Sequence, residues 1–485
     1  MPRHLGGRQP NFVVIMTDEQ KATACSLYGN PQVQTPHLEA LAAQGILYRS
    51  AFTPHPLCVP ARVSFWTGRY PHSHGSRTNE ILLRPTETHF FDLLHDQGYT
   101  LGLVGKNHCF GAADLGLFQT VVDISHGGPA GPPTDPAVAE MAAFLRTPGR
   151  FASTVAAPTA PYPAAVSTTN LVADAAIRFL EQFRDQRLAL WVSIPDPHTP
   201  FQAPEPYASR FPPESIELPP WKPDELEGKP ERQRVLSRIT GVAGYPLEDV
   251  RRLVGIYYAM IAQIDDAVGR ILAAIDRLGL REGTIVVFVS DHGDFMGEHA
   301  MVEKGGTLYD ALVRVPLILS WPRRLPEGRA QPELVNLVDV MPTLLGLAGL
   351  PIPPRTQGKP LPATGLPGAD EPREAVFAEY GAGGPRVTLA DLERRPPVPG
   401  QRTVMTFLRA REAEGRMKMV RTHRWKHVHD PLGDLDELYD LQADPWELTN
   451  LYGRPEYSEV VDEMRLRLLD WSVKTEDAEP VPLYF

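Results

Sequence analysis

Asn11-Phe12-Val13-Val14-Ile15-Met16-Thr17-Asp18 is a short, continuous apolar run that ends in a carboxylate. Its length and β-branched content predict a strand buried on both faces, the habit of strands in parallel sheets. Three more runs share this build: Tyr99-Thr-Leu-Gly-Leu-Val-Gly105, Leu188-Ala-Leu-Trp-Val-Ser-Ile194 and Thr284-Ile-Val-Val-Phe-Val-Ser290. Each runs into polar residues: Asp18-Glu19-Gln20, Lys106-Asn107-His108, Pro195-Asp-Pro-His198 and Asp291-His292-Gly293. Helical patterns lie between them, over 35–45, 90–97, 168–185 and 247–279. Strands alternating with helices predict an α/β fold whose large, mainly parallel sheet is flanked by helices. Such sheets bind ligands beyond the carboxyl ends of their strands. The polar tails are therefore candidates to meet at one site.

A second stretch sits among these strands: Cys58-Val59-Pro60-Ala61-Arg62, continued by Val63-Ser64-Phe65-Trp66-Thr67-Gly68-Arg69. A lone cysteine is commonly a small buried hydrophobe. Here a helix is expected to begin near Ala61, which would put Cys58 at a helix N-terminus, where backbone N–H groups favour an oxyanion. Lys106 and His108 are two apart, so in extended backbone they share a side. Asp18 and the pair Asp291-His292 supply oxygen and nitrogen donors from two distant strand ends, a plausible divalent site. His198 stands in a Pro-rich turn, Lys304 follows Gly297-Glu298-His299, and Asn79 is a candidate lining residue in Arg77-Thr78-Asn79-Glu80. Asp265 and Asp266 are adjacent on a predicted helix and point about 100° apart, so both read as structural. Asp339 also reads as structural.

Residues 110–165 and 201–246 read as Gly/Pro-rich excursions near the site mouth. The Pro/Gly-rich stretch 351–372 marks a boundary between a catalytic domain, 1–370, and a C-terminal subdomain, 371–485. Alternation in the latter predicts a small antiparallel sheet, followed by a helix over 458–471.

The formal net charge of −11 argues against a nucleic-acid surface. Cys25, Cys58 and Cys109 are the only cysteines, too few for a disulfide framework. The start, Met1-Pro-Arg-His-Leu-Gly-Gly-Arg8, has no apolar core of a signal peptide, and no stretch reaches membrane-spanning length. A cytoplasmic protein with no membrane and no nucleic-acid partner is expected.

The motif Cys58-x-Pro60-x-Arg62 with Thr67-Gly68-Arg69, the element Gly105-Lys106-x-His108 and the C-terminal stretch Glu437-Leu-Tyr-Asp-Leu-Gln-Ala-Asp-Pro-Trp-Glu-Leu-Thr-Asn-Leu451 resemble the type I, formylglycine-dependent sulfatases of the alkaline-phosphatase-like superfamily. That resemblance implies an alkaline-phosphatase-like sandwich and a sulfuric ester hydrolase that cleaves sulfate monoesters. It implies that Cys58 is converted to formylglycine by a formylglycine-generating enzyme. The aldehyde hydrate carries two hydroxyls, one to attack sulfur and one to expel sulfate. Carried over by position, Asp18, residue 58, Asp291 and His292 would bind one divalent ion. Arg62 and Lys106 would support the hydrate, and His108 would take a proton. His198, Lys304 and Asn79 would face the small-molecule ester. Two positions depart from the common pattern: Glu19 stands for a second Asp, and His292 for an Asn. The Asp-His version is similar to choline-sulfatase-like enzymes and phosphonate monoester hydrolases, and its nitrogen donor favours Mn2+ over Ca2+. A phosphonate monoester or phosphodiester hydrolase is the second reading, and a homo-oligomer is compatible with either. A non-enzymatic binding protein on this scaffold is the third, against which stand Cys58, Arg62, Lys106 and His108, all present.

Overall fold

The computed structural model describes residues 9–147, 157–398 and 402–476. The N-terminal stretch 1–8 and residues 148–156 of the expected excursion lie outside the described residues. The large sheet comprises β1 (Asn11–Asp18), β2 (Ile46–Phe52), β3 (Thr100–Gly105), β4 (Thr120–Ser125), β5 (Gly128–Pro129), β6 (Leu188–Pro197), β7 (Thr284–Ser290), β8 (Arg314–Val315), β9 (Leu317–Ser320) and β10 (Arg329–Asn336). Its order is β10-β2-β9-β7-β1-β6-β3-β4-β5, with β8 beside β2. The central run β7-β1-β6-β3-β4 is parallel throughout, while β9 pairs antiparallel with both β7 and β2.

Alternation along β1 divides the interior. Phe12, Val14 and Met16 enter one core with Leu101, Trp191 and Val287, whereas Val13 and Ile15 enter the opposite core with Val104, Leu190 and Phe288. Period-2 side chains on a twice-covered sheet produce this division. The first core is closed by Val59, Val63 and Trp66 of the helix Cys58–Thr67 and by Leu344 of the helix Val340–Leu347. Trp66 lies within ring contact of Phe65, Phe90, Phe91 and Trp191. The second core is closed by the helices Pro36–Ala43, Thr168–Phe183 and Leu247–Arg277. Among the described residues no helix is long and apolar enough to cross a membrane.

Asp265 accepts from the backbone N–H groups of His37 and Leu38 and so caps the helix Pro36–Ala43, the structural role expected of it. Asp339 is likewise tied to Arg373 and to the backbone of Asn336 and Lys359.

The structure differs from the sequence reading in several places. The Gly/Pro-rich excursion contains β4, which extends the parallel sheet beside β3, and a helix Pro136–Leu145. The second excursion contains the helix Glu231–Thr240. β2 and β10 carry Arg49, Ser50, Gln331 and Glu333, so neither has the continuous apolar run that marked the central strands. The helix at the cysteine begins at Cys58 itself, not near Ala61.

The C-terminal sheet is antiparallel: β11 (Val376–Tyr380), β12 (Met417–Arg421), β13 (Trp425–His429) and β14 (Glu437–Asp440). One face shares a core with Phe52, Leu57, Leu308 and Leu334 of the large unit. On the other, the helix Ser458–Thr475 lays Trp471 against Phe377, with ring centroids 4.8 Å apart. A further helix, Arg402–Glu412, precedes β12 and reaches toward the strand ends.

Candidate active site

The carboxyl ends of β1, β3, β6 and β7 meet around one guanidinium. Arg62 donates from Nε to Asp291 Oδ2 at 2.8 Å, from Nη1 to the Lys106 carbonyl at 2.9 Å and Ser193 Oγ at 2.8 Å, and from Nη2 to Asp18 Oδ2 at 3.2 Å. Its side chain is fully buried, and burial would lower its proton affinity; Asp291 and Asp18 override that and keep it charged. The residue expected to support residue 58 directly thus spends these donors on the four strand ends.

Cys58 occupies the first position of its helix, and the Val59 N–H beside it donates to Asn79 Oδ1 at 3.1 Å. Asn79 is in turn gripped by Glu412, through its backbone N–H and its amide, each at 3.0 Å. Asn79 therefore lines the cleft while serving as a remote cap for the Cys58 helix. Cys58 Sγ lies 3.2 Å from His292 Nε2, 3.4 Å from Asp18 Oδ1 and 3.5 Å from Lys106 Nζ.

Asp18, Cys58, Asp291 and His292 hold their donor atoms within 4.8 Å of one another. The donors fit a divalent ion. Two carboxylates supply charge, and His292 Nδ1 lies 3.0 Å from the Gly293 carbonyl, which leaves Nε2 facing the cluster. Burial disfavours a charged His292, yet Asp291 and Cys58 raise it to about 9, so this pocket favours a cation. Burial would also raise the Asp18 carboxyl, but Lys106 and Arg62 hold it well below the usual range.

Glu19 takes a different path from Asp18. Its backbone adopts φ 69°, and its carboxylate leaves the four-residue set to accept from Lys304 Nζ at 2.7 Å. Lys304 also donates to His198 Nε2 at 2.8 Å, and His198 Nδ1 lies 2.7 Å from the Thr199 carbonyl. Burial raises Glu19 to about 8, against the pull of Lys304.

Lys106 leaves β3 through Gly105, whose φ of +100° and close approach to the Ser193 carbonyl admit no Cβ: one built there falls 1.8 Å from that oxygen. Lys106 Nζ donates to Asp18 Oδ2. His108 lines the same cleft, but the reason is not alternation in an extended chain; its φ is 57°, in the left-handed region. Burial, reinforced by Lys106 and Arg62, lowers it to about 2 and leaves a neutral imidazole.

Cys58, Asn79, Lys106, His108, His198 and Lys304 line a cleft of about 490 Å³, above the buried Asp18, Arg62, Asp291 and His292. Its far wall is one face of the helix Arg402–Glu412: Met405, Leu408, Arg409 and Glu412, at helical spacing. Sequence reasoning passed over this wall and over Ser193, Tyr380 and His126. His126 had a usable signal, because it stands just past Thr120-Val-Val-Asp-Ile-Ser125, in the same relation to β4 as Lys106 to β3.

Residues 10–350 match the profile of the sulfatase family, and residues 407–474 that of the N-sulphoglucosamine sulphohydrolase C-terminal family. The chain belongs to the sulfatase family and is a sulfatase-type hydrolase. It is 27% identical to the uncharacterized sulfatase YidJ of Escherichia coli, over 97% of this chain and 88% of that protein. It is 27% identical to an arylsulfatase of Clostridium perfringens, over 95% and 94%. Among solved structures, the phosphonate monoester hydrolase of Silicibacter pomeroyi superposes with a TM-score of 0.79 at 22% identity, over 96% of both chains, a likeness of fold.

Proposed function

We propose that this sulfatase hydrolyses sulfate monoesters by way of formylglycine formed from Cys58 by a maturation enzyme, with one divalent ion held by Asp18, Asp291, His292 and residue 58. The observation that carries the reading is the position of Cys58, at a helix N-terminus and between Asp18, His292 and Lys106. An ion bound there would act as a Lewis acid and favour the ionised form of a hydroxyl on residue 58. The hydrate supplies one hydroxyl for attack on sulfur and a second whose deprotonation releases sulfate.

The chain's own residues supply the rest. Arg62 fixes the carboxylates of Asp18 and Asp291 relative to each other, so that the site does not reorganise during reaction. Lys106 offsets negative charge beside residue 58. His108 enters neutral and is placed to accept the proton of the second hydroxyl; an anionic ester in contact with it raises its proton affinity toward that task. Lys304 and His198, already hydrogen-bonded, face the sulfate group. The wall of Met405, Leu408 and Arg409 meets the alcohol half.

Phosphonate monoesters are the competing substrates, and the pair Lys106 and His108 favours sulfate. Matched kcat/KM values for aryl sulfate, choline sulfate, sugar sulfates and a phenyl phosphonate monoester test the reading. Sulfate esters are expected to be the better substrates; a phosphonate monoester preferred by orders of magnitude would replace it with the second reading.

A further inference from the structure

His126 has a place in this cleft that the reaction as described leaves unused. It stands one residue beyond β4, and its ring stacks on that of His198, with centroids 4.1 Å apart and planes 26° apart. It lines the cleft together with Cys58, Lys106, His198 and Lys304. Its side chain is 15% exposed, and Nε2 lies 3.6 Å from Asp18 Oδ2, beyond hydrogen-bond reach. Both ring nitrogens are buried and neither has a hydrogen-bond partner. The imidazole it stacks on differs: His198 engages Lys304 and the Thr199 carbonyl. A buried polar group without a partner is costly and calls for an explanation. Burial, Lys106 and Lys304 keep the ring neutral against the pull of Asp18, and both lysines line the same cleft as His126.

We propose that His126 is a further catalytic residue, whose ring N–H donates to a non-bridging oxygen of the sulfuryl group. This rests on the reading of the cleft as a sulfate ester site. The contact adds a third nitrogen donor beside Lys106 and Lys304. The stack on His198 fixes the ring plane, so that the donor is aimed before substrate arrives.

The test uses the mature, full-length enzyme. His126→Phe keeps an aromatic ring against His198 and removes both nitrogens; His126→Gln restores an amide N–H. Three readouts are taken: kcat/KM for aryl sulfates of graded leaving-group basicity, inhibition by inorganic sulfate, and thermal unfolding. The Phe variant is expected to lose about 10- to 100-fold in kcat/KM, the size of one hydrogen bond to a charged group. The loss should be equal across leaving groups, with weaker sulfate inhibition in parallel, partial recovery in the Gln variant and unchanged unfolding. Parent-like kcat/KM and sulfate inhibition in the Phe variant would reduce His126 to a packing role and overturn the proposal. A loss that grows with leaving-group basicity would place the ring on the ester oxygen and overturn it equally. If the Phe variant fails to fold, His126→Ala is held to the same criteria. Turnover of sulfate esters by the parent decides the underlying reading separately: if the parent turns them over and the variants match it, only the role of His126 falls.

Discussion

Two arginines stand at different depths: Arg409 lines the cleft, and Arg62 lies beneath its lining. Arg62, on the floor, is fully buried and bonded to residues at the ends of four strands. Arg409, on the wall, is exposed, and among the described residues it makes no hydrogen bond or ion pair. The floor is charge held in fixed geometry; the wall is a helix face carrying Met405, Leu408 and a free cation over the same space. Reaction chemistry needs the first kind of surface, since a donor that must reorganise loses its advantage. Recognition of a variable alcohol tolerates the second. The comparison also separates the parts of the chain: the floor comes from strand ends of the large sheet, the wall from the segment before β12.

The largest effect that would break this division is on the floor. His108→Ala should lower turnover by about 10²–10⁴-fold, the usual range for removing a general base. It should slow regeneration of residue 58 more than attack, so that mass from the ester is retained on the peptide containing that residue. A uniform loss without retained mass would remove His108 from that role.

Arg62→Met should destabilise the fold by about 3–5 kcal/mol, because it leaves Asp291 buried without its guanidinium and Asp18 with Lys106 alone. Urea unfolding measures this. A change below about 1 kcal/mol would show that the strand ends do not depend on the guanidinium.

A smaller effect concerns the C-terminal sheet. Burial lowers His427 to about 4 from an ordinary 6.5, so the folded protein holds it neutral. Below pH 6.5 the unfolded chain takes up a proton that the folded chain refuses, and stability falls until about pH 4. Glu379, held at about 2 against an ordinary 4.5 by His72 and Arg77 despite its burial, adds a loss below pH 4.5. His427→Gln should make the portion between pH 6.5 and 4 less steep in denaturant midpoints read against pH, the remaining slope coming from other histidines held neutral by burial, His55 and His108 among them. An unchanged slope there would contradict a neutral His427.

Arg409→Ala, last in size, should change stability by no more than about 0.5 kcal/mol. Its kinetic effect should be confined to esters whose alcohol half carries an anionic group. Equal loss on a plain aryl sulfate would move Arg409 from wall to floor.

Much of the floor was legible in the sequence, for a physical reason. A strand buried on both faces must be continuously apolar, and its polar tail then marks the sheet's carboxyl edge; Asp18, Lys106, His198 and Asp291 were read in that way. β4 escaped because it lies among glycines and prolines and exposes Val121, so its tail at His126 went unread. The roles of Arg62 and Asn79 were less legible. Which acceptors a guanidinium reaches, and that Asn79 caps a helix twenty positions away in the chain, depend on long-range packing. The left-handed backbone at Glu19 and His108 likewise has no local signature. Sequence patterning had placed His108 correctly in the cleft for the wrong geometric reason.

The central claim is that residue 58 acts as formylglycine. Active enzyme from a host with the maturation system should be digested, and the peptide spanning Cys58–Arg69 weighed, beside an inactive preparation from a host without that system. The account predicts an aldehyde or its hydrate at residue 58, in proportion to specific activity across preparations, and only thiol in the inactive protein. Full activity in a preparation that carries unmodified Cys58 throughout would contradict it.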